Sequence, residues 1–324
     1  MIVTSSIKNY SYEAYGIPIR SAIELPALSL YNGSTLAKEI LVEQGIIPDN
    51  LKNNAFKNEL FSKYNDNEFR HEIPKVARYY ITQGEYIIIE PLCNNWNEIL
   101  LYFYANCLSI ALFQRNQLPF HVSGIFVKSD SVLLFAGPSQ VGKSTTALML
   151  QQKGYAPFTD DTALLTVENG ICFAQASYPM MRLWQSTIDQ QTLFQEAEKQ
   201  SILTNIDKYA FSFHEKFRNE KVKVIGIVFL ETIGEEIEIE KLKPSEQMVL
   251  LSNNIYRSEW LYGMRKYALQ FIQLTEITKL LPAWKATRPK NVLSFGTFAD
   301  NIIQNIIGEP DKLTHDICKV SESY

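Results

Sequence analysis

The residues most open to a chemical reading lie mid-chain, where Gly137-Pro138-Ser139-Gln140-Val141-Gly142-Lys143-Ser144 fits the pattern G-x-x-x-x-G-K-[S/T] in full. Glycines at the ends of such a loop let the backbone curl until successive N–H groups converge on phosphate oxygens. A helix opening at Lys143, Ser144 and Thr145 adds its free N–H groups and its dipole. The Lys143 ammonium can then reach the outer phosphates of a nucleoside triphosphate, and the Ser144 hydroxyl can ligate magnesium. ATP and Mg2+ are the implied cofactors. The bland alternative is a glycine turn with an exposed lysine. The flanks argue against it, because the apolar run at 131–135 precedes the loop and helix formers follow as far as Lys153, with Gly154 placed to end the helix.

Beyond that helix the chain returns through Phe158-Thr159 into the adjacent carboxylates Asp160-Asp161. Phosphoryl transfer needs one carboxylate to accept the proton of an attacking hydroxyl and another to hold the metal. Neighbours on a strand point opposite ways, so the pair serves one site only if the strand ends there and the chain turns. An acidic turn or helix cap is the alternative. The N-K-x-D motif by which switch GTPases read guanine has no counterpart, since Asn205-Ile206-Asp207-Lys208 has the wrong order.

These residues need strands and helices to hold them. Residues 10–91 read as strands and turns, with a hairpin at Tyr79-Tyr80-Ile81-Thr82, Gln83-Gly84 and Tyr86-Ile87-Ile88-Ile89; residues 51–70, polar and rich in Asn and Lys, read as a loop or short helix. A buried helix is expected at 95–117, where apolar residues cover most of the circumference. Strands follow at 124–127, 131–135, 163–175, 222–231 and, exposed, 235–242. From Pro244 the pattern turns helical, at 245–251, 262–275 and 300–307. The expected organisation is an α/β chain in three parts: an N-terminal α+β region at 1–94 that could recognise a peptide, a catalytic core at 95–243 and a helical tail at 244–324.

Composition narrows the partners. With 46% hydrophobic and 12% aromatic residues the chain can bury a large core, and a formal charge of -4 with scattered Lys and Arg offers no field for nucleic acid. Four separated cysteines without a C-x-x-C pair point to reduced thiols. The N-terminus lacks the apolar stretch of a secretory leader, and the apolar segment at 99–113 is too short to span a bilayer. A cytoplasmic protein is expected, its oligomeric state open.

At this point the chain resembles the HPr kinase family, whose fold is related to phosphoenolpyruvate carboxykinase, and more narrowly the HPr-kinase-like enzymes encoded with lasso peptides. The likeness covers residues 118–231 and rests on Leu118-Pro-Phe-His121-Val-Ser-Gly124, the loop from Gly137 to Ser144, Phe158-Thr-Asp160-Asp161 and Tyr178-Pro-Met-Met-Arg182-Leu-Trp184. It implies a P-loop serine kinase of the HPr kinase/phosphoenolpyruvate carboxykinase type. In that reading the aspartate matching Asp160 is the catalytic base, that matching Asp161 helps hold magnesium, and the histidine matching His121 lies beside the phosphates. Arg182 falls where the family has a basic residue able to neutralise phosphoryl charge; Lys208 is a weaker candidate. An interior histidine and a surface arginine are the plain alternatives. The chain departs from the bifunctional enzymes at 174–184, which lacks their glutamate- and glycine-rich segment, and this argues against phosphorylase activity and against HPr as substrate. The substrate implied by the nearer relatives is the C-terminal serine of a lasso precursor peptide. Two other hypotheses stand beside it: a bifunctional HPr kinase/phosphorylase, and a nucleotide-sensing partner protein that performs no chemistry.

Overall fold

Alternating burial sets the strands of the N-terminal part. Ile87 and Ile89 turn inward while Tyr86 faces out, and Ala77, Tyr79 and Ile81 do the same in the opposing strand. The expected hairpin forms between them, its turn made by Gln83 and Gly84 at φ 58° and 65°. The computed structural model describes residues 9–33, 38–184, 200–203, 206–212, 217–233, 235–290 and 294–308, with backbone alone at 181–184, 200–203 and 206–212. The fold is mixed α/β with two large sheets. The chain divides into two compact units, Met1–Leu118 with Arg257–Leu269, and Pro119–Tyr256 with Gln270–Tyr324.

The first unit is built on β1 Tyr10–Ala14, β2 Ile17–Ser21, β3 Ser29–Leu30, β4 Ile40–Gln44, β5 Lys57–Asn58, β6 Ser62–Tyr64, β7 Glu68–Ile73, β8 Ala77–Thr82 and β9 Tyr86–Pro91. They form one sheet in the order β3-β1-β2-β4-β9-β8-β7-β6-β5. Residues 51–70, expected as loop or short helix, thus contain edge strands. This polar sequence is held in place by Glu68, 3% exposed, which accepts from the N–H groups of Lys52 and Asn53 (2.9 Å each) and from the Tyr80 hydroxyl (2.6 Å). The helix expected at 95–117 runs as α1 Trp96–Tyr102, a π-helical turn Phe103–Cys107 and α2 Leu108–Gln114. It packs on β8, with the Tyr79 hydroxyl donating to the Ile99 carbonyl (2.8 Å) and Gln114 Nε2 to that of Ile81 (3.1 Å). The helix therefore belongs with the N-terminal sheet, and the boundary expected at 94/95 falls after Leu118. Among the described residues no helix is long and apolar enough to cross a membrane.

The second unit contains β10 Pro119–Phe120, β11 Val122–Lys128, β12 Ser131–Ala136, β13 Pro157–Thr159, β14 Ala163–Glu168, β15 Ile171–Ala176, β16 Met180–Trp184, β17 Gln200–Leu203, β18 Ile206–Ser212, β19 Val222–Glu231, β20 Glu238–Lys241 and β21 Ala283–Thr287. Its helices are α3 Lys143–Gln152, α4 Pro244–Asn253, α5 Tyr267–Leu280 and α6 Ser294–Ile302. The main sheet runs β10-β14-β15-β19-β12-β11-β13, with β21 added beside β19 and β20 beside β21, while β16, β18 and β17 pair separately. Every residue of β12 is buried, as suits a strand lying parallel to β19 inside a sheet. The strand expected at 163–175 is a hairpin, turned by Asn169 and Gly170 at φ 51° and 74°.

The tail expected to be helical contributes β21, parallel to β19. Ala283 and Ala286 are buried there, so tertiary pairing decides a segment whose local pattern is weak. Leu148 and Leu150 of α3, Phe135 of β12, Val228 of β19 and Phe298 and Ile302 of α6 share one core. Strands β12, β19 and β21 run parallel, so their C-terminal ends meet along one edge, the usual place for a ligand in an open α/β sheet.

Candidate active site

At that edge β12 ends in the loop from Gly137 to Ser144. Gly137 and Gly142 have φ 139° and 105°, and neither has room for a Cβ: one at Gly137 would sit 2.8 Å from the Leu230 carbonyl, and one at Gly142 2.7 Å from the Phe295 ring. Gln140, at φ 68°, takes the left-handed conformation without being glycine. Helix α3 begins directly after Gly142 with no side chain capping it, so its first N–H groups point into the loop. Lys143 is buried (6% exposed), and its Nζ donates to the carbonyl oxygens of Gly137 (2.8 Å) and Pro138 (3.1 Å).

The carboxylate pair stands beside this loop. β13 ends at Thr159, Asp160 follows, and Asp161 has φ 84°, so the chain turns where two adjacent carboxylates must share a site. Thr159 Oγ1 fastens the turn by donating to the Thr162 carbonyl at 2.8 Å. Asp160 is 2% exposed, and its Oδ1 accepts from the Ser144 hydroxyl (2.7 Å) and the Ser123 hydroxyl (2.5 Å). Asp161 Oδ1 lies 3.9 Å from His121 Nε2, and the His121 ring meets that of Tyr256 edge-on at 5.7 Å. His121 therefore faces the carboxylate turn and not the apolar core.

The donor set fits the groups the loop implies. The N–H groups and Lys143 suit phosphate, and the oxygens of Ser144 and Asp160, with Asp161 next in the chain, are hard ligands suited to magnesium. Among the described residues no three His, Cys, Asp or Glu side chains converge to hold a metal. Magnesium here would depend on Ser144, phosphate oxygens and water for most of its ligands, its usual habit in nucleotide sites. A cleft of about 640 Å³ borders the loop residues Gly137 to Val141, the end of β19 and the Asn253-Asn254 corner.

Arg182 and Lys208 lie in β16 and β18, opposite Ala210 and Trp184; their side chains fall outside the described residues. Three residues not singled out in the sequence contribute. Ser123 is the second hydroxyl on Asp160. Asn254, 7% exposed, follows the last turn of α4; its Oδ1 accepts from the Gly137 N–H (2.8 Å), its Nδ2 donates to the Leu250 carbonyl (2.8 Å), and its own carbonyl accepts from the His121 N–H (2.8 Å). Arg288, just past β21, donates through Nη2 to the Val141 carbonyl at 3.3 Å. Ser123 lies within the segment 118–124 that carries the family resemblance, whereas no local pattern marks Asn254 or Arg288, whose partners are distant in the chain.

No family model and no curated protein matches the chain. Among solved structures it is similar to the HPr(Ser) kinase/phosphatase from Coxiella burnetii, at 14% identity and a TM-score of 0.28, over 59% of this chain and 99% of that one.

Proposed function

We propose that this protein is an ATP- and magnesium-dependent kinase that transfers the γ-phosphoryl group to a serine hydroxyl of a peptide, with the C-terminal serine of a lasso precursor as the substrate of choice. The observation that carries the reading is the convergence of the loop hydroxyl Ser144, the cation Lys143 and the Asp160-Asp161 turn at one sheet edge. The acceptor Oγ attacks the γ-phosphorus, the bond from that phosphorus to the β-bridging oxygen breaks, ADP departs and the serine proton passes to a carboxylate. Such transfers need positioning and charge more than covalent help. Lys143 and the α3 N–H groups supply charge on the phosphates, and magnesium, held by Ser144 and a carboxylate, would neutralise the phosphoryl oxygens. Asp160 is the proposed base, being already placed to accept hydroxyl hydrogens from two serines.

Its bond to Ser144 favours a second reading in which Asp160 serves the metal and Asp161, beside His121, accepts the proton. Incubation with ATP, magnesium and the serine-terminated precursor peptide, followed by fragmentation mass spectrometry, tests the activity. Phosphoryl mass on the terminal serine is expected. ATP binding without transfer to that peptide or to HPr would favour a sensor.

A further inference from the structure

Arg288 is a buried cation with no matching anion among the described residues. It is 6% exposed, and its guanidinium lies 3.6 Å from the centre of the Phe295 ring. Among the described residues its hydrogen bonds go to neutral acceptors: Nη1 to the Pro289 carbonyl (3.0 Å) and Ser294 Oγ (3.4 Å), Nη2 to the Val141 carbonyl (3.3 Å). Among the described residues no carboxylate pairs with it, and burial alone presses its pKa down from the usual arginine value. Burying an unpaired charge is among the costlier arrangements in a protein, and its retention calls for a counter-ion. The surroundings disfavour a cation in the free protein as well, for Ser294 opens α6, and the first turn of a helix attracts anions.

The geometry points to that counter-ion. Nη2 stands 3.1 Å from where a Cβ on Gly142 would be, so the guanidinium borders the phosphate loop itself. It follows β21, whose partner β19 flanks β12 on one side, whereas Asp160 follows β13, beyond β11 on the other. We infer that Arg288 binds a phosphate of the nucleotide on the side of the loop away from Asp160, contacting the non-transferred α- or β-phosphate, with Phe295 fixing the plane of the guanidinium. This rests on the nucleotide-binding part of the proposed function. The planar fork, with five donors of which three bonds use part, suits bidentate contact with a phosphate.

The experiment is calorimetric titration of the wild type, Arg288→Met and Arg288→Lys with ATP and with ADP, alongside melting curves with and without nucleotide. Arg288→Met should weaken ATP and ADP alike, by roughly tenfold to a hundredfold, and shrink the nucleotide-induced rise in Tm. Without nucleotide it should melt no lower than the wild type, since a lone buried charge is gone. Arg288→Lys, keeping charge but not the fork, should fall between. In turnover the loss should be greater in KM for ATP than in kcat. A lower Tm without nucleotide and an unchanged Kd would show a structural arginine and overturn the inference. If Arg288→Met fails to fold, an unchanged Kd in Arg288→Lys overturns it equally. Nucleotide bound by the wild type without phosphoryl transfer would sink the kinase reading and leave this one standing; no binding by the wild type would remove both.

Discussion

Glu68 in the first unit and Arg288 in the second are buried charges held in opposite ways. In the first, Glu68 gathers the Tyr80 hydroxyl, two backbone N–H groups and the Asn65 amide; burial alone would raise its pKa, but these bonds outweigh burial and hold it down to about 2. His71 lies between Ser62 Oγ, 2.8 Å from Nδ1, and Asn106 Nδ2, 3.2 Å from Nε2. In the second unit the Arg288 guanidinium donates to the Pro289 and Val141 carbonyls and to Ser294 Oγ, and among the described residues no carboxylate pairs with it. A carboxylate ringed by donors holds a fold, whereas a cation resting on neutral acceptors gains most from an arriving anion.

The largest effect that could break this comparison lies at the loop. Lys143→Ala should lower phosphoryl transfer by about a thousandfold with the fold intact by circular dichroism, and a variant retaining wild-type turnover would make the lysine ornamental. Asp160→Asn and Asp161→Asn sharpen the assignment of roles. Removing the base should abolish transfer and leave ATP affinity nearly unchanged, while removing the metal-side carboxylate should raise the magnesium concentration needed for half-maximal rate.

In the first unit the counterpart is Glu68→Ala, which strands several donors and should cost roughly 3 kcal/mol of stability in urea unfolding, with little effect on nucleotide binding. His71 supplies a pH test. Burial lowers its pKa from 6.5 to about 4, so between these values the unfolded chain holds more protons than the folded one. Stability is therefore full above about 6.5 and declines as pH falls toward 4, by up to about 3 kcal/mol, and His71→Phe should flatten that part of the curve. The smallest effect is expected at Asn254. Asn254→Ala should raise KM for ATP by a few-fold to about tenfold, the loss of one buried hydrogen bond to Gly137, with Asn254→Asp recovering part of it.

Legibility tracked locality. The loop from Gly137 to Ser144 stood out because its tight curvature and helix start demand residue types within eight consecutive positions, and Gly137 and Gly142 take positive φ directly before α3 opens at Lys143. The turn at Asp161 was legible as a requirement, since two adjacent carboxylates need one to share a site. Residues 51–70 misled because Asn and Lys disfavour strands, and the burial of Glu68 beside the stacked rings of Tyr64 and Phe69 compensates. Strand β21 misled because its partner β19 lies far back in the chain. Asn254 and Arg288 meet the loop across 117 and 147 residues, separations that no window of sequence pattern spans.

Those separations also order the events of synthesis. A ribosome that has released the chain only as far as α3 has made the full eight-residue motif, yet Gly137 lacks its amide partner and β12 has β11 but not β19 beside it. Contacts so distant in sequence close late. The motif is therefore complete in sequence long before the contacts that shape its loop can form.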